Sequence, residues 1–213
     1  MIEVTVIDYG VGNLLSVSRA LEHCGAKVTV TSDPRSILAS GRVVLPGVGA
    51  FADGMRALQD KGLDAIVRQV AAAGTPLLGI CLGMQMLLDK SEEFGITDGL
   101  GLIPGHVVKI PAMTTKGAPL KIPHIGWNDL VLPVQRDSWQ GGLLADIEPG
   151  EAVYFVHSFM AVPASPAHRL ADCNYGGIPI SAVLQRNNVM GCQFHPEKSG
   201  EVGLGILNNF LMH

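Results

Sequence analysis

This sequence is poor in charge, in aromatic residues and in cysteine, and each shortage removes a class of protein. Charged residues make up 16% and aromatic residues 5% of 213 positions, yet 47% of the chain is apolar. That balance excludes a disordered segment, whose low hydrophobicity and high net charge keep it unfolded, and it excludes a fibre. Fifteen basic residues stand against nineteen acidic ones, so there is no cationic surplus to grip nucleic acid. Four cysteines, Cys24, Cys81, Cys173 and Cys192, form no C-x-x-C pair. No metal site, cofactor or disulfide framework is expected, and reduced thiols in a cytoplasmic protein are. No uncharged apolar run is long enough to cross a membrane, and Met1–Asp8 lacks the basic flank and cleavage site of a signal peptide.

What is present is apolar patterning. The mean hydropathy of +0.31 has two ordinary causes, a parallel sheet buried on both faces and a surface covered by a partner, and both are expected. Short β-rich runs at Ile2–Asp8, Lys27–Thr31, Arg42–Leu45 and Pro76–Ile80 alternate with helical patterns. Leu14, Val17, Leu21 and Cys24 recur at helical spacing and end at Gly25. A second helical stretch, residues 51–73, is expected to break near Gly62. This β-α-β order predicts an α/β fold with a central, mostly parallel sheet and helices on both faces. The second half is strand-rich at Gly101–Ile110, Lys121–His124, Ala152–Val156, Arg169–Asn174, Ile180–Leu184 and Val189–Gln193. It predicts an antiparallel extension beside the parallel core, closed by a helix over Glu201–Met212. No repeat or linker divides residues 1–213, which read as one domain.

Gly10-Val11-Gly12 imitates a dinucleotide-binding turn, with Asp33 at a tempting distance. The third glycine of that motif would fall at Leu15, and without it helix and strand cannot pack closely enough. A plain βα turn is expected. Gly79-Ile80-Cys81-Leu82-Gly83 carries more chemistry. G-x-C-x-G between an apolar strand and a helix pattern is the cysteine form of the nucleophile elbow. On so sharp a turn, side chains two residues either way would strike the crossing backbone. The turn sets the sulfur at a helix start, where the helix dipole and an imidazolium favour thiolate. Cys24, Cys173 and Cys192 lack such glycines and read as packing residues.

A cysteine nucleophile needs a base, and the base needs an orienting group. Among seven histidines, His195 follows an apolar run and has an acid two residues on, in Phe194-His195-Pro196-Glu197. In an extended segment both side chains point the same way, so Glu197 can hold one ring nitrogen and leave the other to the thiol. His23 reads as helical, His106 and His168 as loop residues and His213 as terminal; none has that partner.

Gly79–Gln85 together with Phe194–Glu197 resembles the class I, triad-type glutamine amidotransferases. Within them, four blocks resemble the glutaminase subunits of imidazole glycerol phosphate synthases: Asp8–Leu14, Pro46–Phe51, Pro123–Asn128 and Tyr154–Phe159. The resemblance implies hydrolysis of L-glutamine through a thioester on Cys81, with His195 moving the proton and Glu197 orienting it. It also implies oxyanion donors at the Leu82 N–H and at Val48 or Gly49, and glutamine contacts at Gln85 and Glu93. Ammonia would pass to a (βα)8-barrel cyclase, bound through Asn13, Trp127, Tyr154 and Lys198 in a heterodimer. His124 and His157 lie in the resembling blocks and are assigned structural or interface roles. Gly47 and Gly49 suggest that the peptide at Val48 rotates to complete the oxyanion hole when partner and ligand bind. A glutaminase of another synthase and a stand-alone γ-glutamyl cysteine hydrolase share the elbow and remain alternatives.

Overall fold

Strands that are apolar on both sides need cover on both sides, and the central sheet is built on that requirement. The computed structural model describes residues 2–139 and 141–213. Strands β1 (Ile2–Ile7), β2 (Ala26–Thr31), β3 (Val43–Gly47) and β4 (Leu77–Cys81) pair in parallel, in the spatial order β4–β3–β1–β2. Helices α1 (Leu14–His23), α2 (Pro34–Leu38), α3 (Phe51–Asp60) and α4 (Leu63–Ala72) connect them, and α5 (Leu82–Met86) leaves the end of β4. Alternating side chains divide the core in two. Val4, Val6, Val44, Leu78 and Ile80 pack with α1 on one side; Val43, Leu45 and Leu77 pack with α3 and α4 on the other.

The rest of the chain supplies β5 (Leu88–Ser91), β6 (Thr97–Asp98), β7 (Ile103–Lys109), β8 (His124–Asp129), β9 (Ala152–His157), β10 (Phe159–Pro163), β11 (Arg169–Tyr175), β12 (Ile178–Arg186) and β13 (Val189–Cys192). Helix α6 (Gly200–Met212) closes it, packed on the same side as α1. Among the described residues, the antiparallel extension of the main sheet is the strand pair β11–β12. Strand β13 returns to lie parallel to β4 and completes the order β11–β12–β13–β4–β3–β1–β2. The remaining strands form two smaller sheets, β10–β7–β5–β6 and the β8–β9 ribbon.

Several local expectations change. The strand expected at Lys121–His124 begins only at His124, because Pro123 has no N–H to give a ladder. His106 lies within β7 rather than in a loop. The expected strand Ala152–Val156 runs on to His157, and an unexpected strand, β10, follows after Ser158, where the chain leaves one sheet for another. Asp33, which stands at a tempting distance from the decoy turn, caps α2: its carboxylate accepts the Ser36 N–H at 2.9 Å, with Pro34 in the first helical position. The break between α3 and α4 falls at Gly62, which has the left-handed φ of 66° that glycine tolerates.

Candidate active site

Strand β4 ends in the elbow. Cys81 has φ 55° and ψ −110°, a conformation that costs a non-glycine residue about 1–3 kcal/mol and persists only where its surroundings enforce it. The flanking glycines provide that enforcement by steric necessity. A Cβ on Gly79 would lie 2.7 Å from the Gly83 carbonyl oxygen, and one on Gly83 would lie 1.8 Å from the Leu45 carbonyl oxygen. Helix α5 is only five residues long, so the charge facing the sulfur comes chiefly from a neighbouring side chain rather than from a helix dipole.

That neighbour is His195. Strand β13 runs beside β4 and stops at Cys192, which brings the following residues to the elbow. The His195 ring is 3% exposed, and its Nδ1 lies 2.8 Å from Glu197 Oε1. The two side chains meet through a tight 3-10 turn over Pro196–Lys198, not along an extended strand. Burial pulls the imidazole pKa down, but hydrogen bonds to Cys81 and Glu197 and their charges outweigh it and raise the pKa to about 9. The ring is therefore held in its charged form at neutral pH, beside the Cys81 sulfur.

The backbone of His195 is fastened on both sides to β9. Its N–H donates to the Tyr154 carbonyl at 3.0 Å. Its carbonyl accepts the Ser199 hydroxyl at 2.7 Å, and the same hydroxyl accepts the Tyr154 N–H at 3.0 Å. Ser199 stands at the start of α6, where a serine ordinarily caps the helix, yet it makes no side-chain cap.

Cys81 and His195 line a cavity of about 320 Å³ together with Val48, Gly49, Leu82, Gln85 and Glu93. The two glycines of the Pro46–Gly49 segment differ in character. Gly47 is held by packing, since a Cβ there would meet the Tyr9 hydroxyl at 2.6 Å, and that hydroxyl donates to the Pro46 carbonyl. Gly49 has a φ of 95° and open space around it, so conformational freedom is confined to the exposed Val48–Gly49 step. Glu93 reaches the cavity while one carboxylate oxygen accepts the Phe51 N–H at 2.7 Å. Gln85 donates from its amide nitrogen to the Phe159 carbonyl at 3.1 Å and to Gln193 Oε1 at 3.0 Å.

The opposite wall carries His157, paired with His124 at 3.0 Å. His157 Nδ1 faces the Phe159 carbonyl at 2.8 Å and must donate to it, so its Nε2 accepts from His124. Asn128 meets the far nitrogen of His124 at 3.3 Å, and Phe155 and Tyr175 stack on the His124 ring. Desolvation lowers both histidine pKa values to about 4, so the pair is neutral.

Of the expected interface residues, Trp127 is 59% exposed and meets Tyr154 across the β8–β9 ribbon, ring centroids 6.1 Å apart. Lys198 is exposed on the turn that follows His195, beside α1, whose first flank is Asn13. Sequence reasoning overlooked Tyr9, Gln193 and Ser199. Gln193 left a signal, being the one polar side chain in the apolar run Val189–Phe194.

Residues 5–213 match the family described as glutamine amidotransferase class-I. Over 211 residues the chain is 54% identical to the imidazole glycerol phosphate synthase subunit HisH 1 of Legionella pneumophila (strain Lens), covering 99% of each. It is 48% identical to subunit HisH of Geobacillus thermodenitrificans, covering 99% of this chain and 96% of that one. A chain in the structure of PurLQS from Thermotoga maritima superimposes with a TM-score of 0.72 at 21% identity, over 99% of this chain and 97% of that one, a likeness of fold. The chain belongs to the class-I glutamine amidotransferases and, within them, to the HisH subunits of imidazole glycerol phosphate synthase.

Proposed function

We propose that residues 1–213 form one glutaminase domain that supplies ammonia to a (βα)8-barrel cyclase in histidine biosynthesis. Cys81 Sγ attacks the side-chain amide carbon of L-glutamine. The oxyanion is met by the Leu82 N–H and by the N–H of Val48 or Gly49, each donor worth about 2.7–4 kcal/mol in the transition state. His195 gives its proton to the leaving nitrogen, the C–N bond breaks, and a γ-glutamyl thioester remains with ammonia. The neutral ring then takes a proton from water, which attacks the thioester and releases glutamate. Glu197 keeps the ring oriented through both steps, while Gln85 and Glu93 hold the polar ends of the substrate.

The observation that carries this reading is the meeting of Cys81 and His195 at one cavity, with Glu197 behind the ring, 2.8 Å from its Nδ1. The cyclase would bind over Asn13, Trp127, Tyr154 and Lys198 and convert the ammonia into imidazole glycerol phosphate and aminoimidazole carboxamide ribotide, in the cytoplasm. Rotation at Val48–Gly49 would complete the oxyanion hole only when the liganded partner is bound, which prevents wasted glutamine. The test is glutamate release from glutamine with and without the cyclase and its nucleotide ligand. Strong stimulation that Cys81→Ala abolishes is expected. A high rate indifferent to partner would make the chain a stand-alone hydrolase.

A further inference from the structure

We propose that Gln193 is a further catalytic residue, donating a hydrogen bond from its side-chain amide to the Cys81 sulfur. The inference deepens the proposed function and rests on Cys81 being the nucleophile. Gln193 is fully buried, and its backbone N–H donates to the Ala182 carbonyl, which anchors it beyond the end of β13. Its Nε2 lies 3.9 Å from Cys81 Sγ.

The direction of that amide is set by its neighbours. The Phe159 carbonyl can only accept, so Gln85 must turn its NH2 group toward it. The same NH2 group faces Gln193 at 3.0 Å, which requires the Gln193 oxygen there and leaves the Gln193 NH2 group for the sulfur. His157 also donates to the Phe159 carbonyl and holds the origin of the chain in place. Carbonyl, Gln85, Gln193 and sulfur thus form one directed series. Flipping either amide would set two donors or two acceptors face to face.

Such a donor complements His195 rather than duplicating it. The imidazolium surrenders its proton to the leaving nitrogen and regains one only when water attacks, so its charge beside the sulfur is interrupted while the thioester stands. The Gln193 amide keeps its proton throughout, so a donor faces the sulfur both before and after His195 is recharged. The series also joins the sulfur to Gln85, which lines the substrate cavity.

The test uses Gln193→Met, similar in length but without a donor, and Gln193→Glu, which keeps an acceptor for Gln85 and sets a carboxylate oxygen toward the sulfur. Cys81 alkylation by iodoacetamide is followed across pH by peptide mass spectrometry, and glutaminase kinetics are measured with the liganded cyclase. A lost hydrogen bond to a charged sulfur should slow alkylation at pH 7 about tenfold in Gln193→Met, and more in Gln193→Glu. The alkylation profile should move to higher pH, and kcat should fall about tenfold with KM changed by less than about threefold. Alkylation like that of the unsubstituted chain in either folded variant overturns the proposal, whether or not kcat falls. So does a rise in KM alone, which would place the role of Gln193 at Gln85. If Gln193→Met fails to fold, the isosteric Gln193→Glu decides alone. Failure of the underlying reading looks different: Cys81→Ala would then retain glutamine hydrolysis.

Discussion

Replacing Glu197 by Gln should make the stability of this protein respond to pH in a way that isolates His195. The side-chain shape is kept and the buried negative charge is lost. In the folded protein the imidazole pKa stands at about 9 against the ordinary 6.5, with burial opposing the rise and Cys81 and Glu197 producing it. That gap corresponds to roughly 3 kcal/mol of preference for the charged ring, shared between the two partners. Because the native state holds this proton more tightly than the unfolded chain does, the contribution is fully present below pH 6.5. It is lost as pH rises from 6.5 through about 9. His124 and His157 act in the opposite sense: with pKa values near 4 they make stability fall as pH drops below 6.5. Both are common to the two proteins and cancel in their difference. Urea denaturation of the unsubstituted chain and Glu197→Gln at pH 6, 8 and 10 should therefore show a gap of about 1–3 kcal/mol at pH 6 that closes toward pH 10. A gap that is constant across this range, or that widens with pH, would refute the ion-pair account.

Other parts of the structure make equally definite demands. Gly83→Ala would drive a Cβ into the Leu45 carbonyl oxygen at 1.8 Å and should cost more than about 3 kcal/mol by thermal or urea denaturation; a neutral result would mean the elbow is not sterically forced. Arg169→Met would leave Asp172, whose side chain is 6% exposed, without its 2.8 Å partner. A loss of about 3–5 kcal/mol is expected in urea melts. Brief iodoacetamide treatment of the folded chain should alkylate Cys81 and spare Cys173 and Cys192, whose thiol pKa values burial pushes well above the usual range; peptide mapping would expose an error. Trp127→Ala should weaken cyclase binding about tenfold or more while thermal stability is unchanged, because the exposed indole makes little of the core. Titration calorimetry showing equal affinity would move the interface elsewhere.

The parallel core was legible because its signals are local. The apolar runs Val43–Leu45 and Pro76–Ile80 have no polar face, and a strand without one must be buried twice. Gly79 and Gly83 declared the elbow because no side chain fits where they stand. The small sheets were hidden for the converse reason. Leu88–Ser91 carries Asp89 and Lys90 in its middle and shows no alternation, and β9 and β10 run together with only Ser158 between them. Nothing in the residues themselves marks the change of sheet. Helix α2 was missed because five residues are too few to show a period.

The same division runs through the site. The sequence alone marked Cys81 as the candidate nucleophile, Glu197 as the acid adjoining His195, and the family blocks, since each rests on residues within a few positions of one another. It did not determine which buried polar groups face the sulfur. Gln85 and Gln193 are 108 positions apart and meet only because β13 lies beside β4. Likewise Tyr154 and Ser199, 45 positions apart, hold His195 only because β9 crosses the turn before α6. A serine before a helix reads locally as a cap, and a histidine in a strand as packing. Hydrogen-bond direction depends on every partner being satisfied at once, and that condition exists only when the chain is folded.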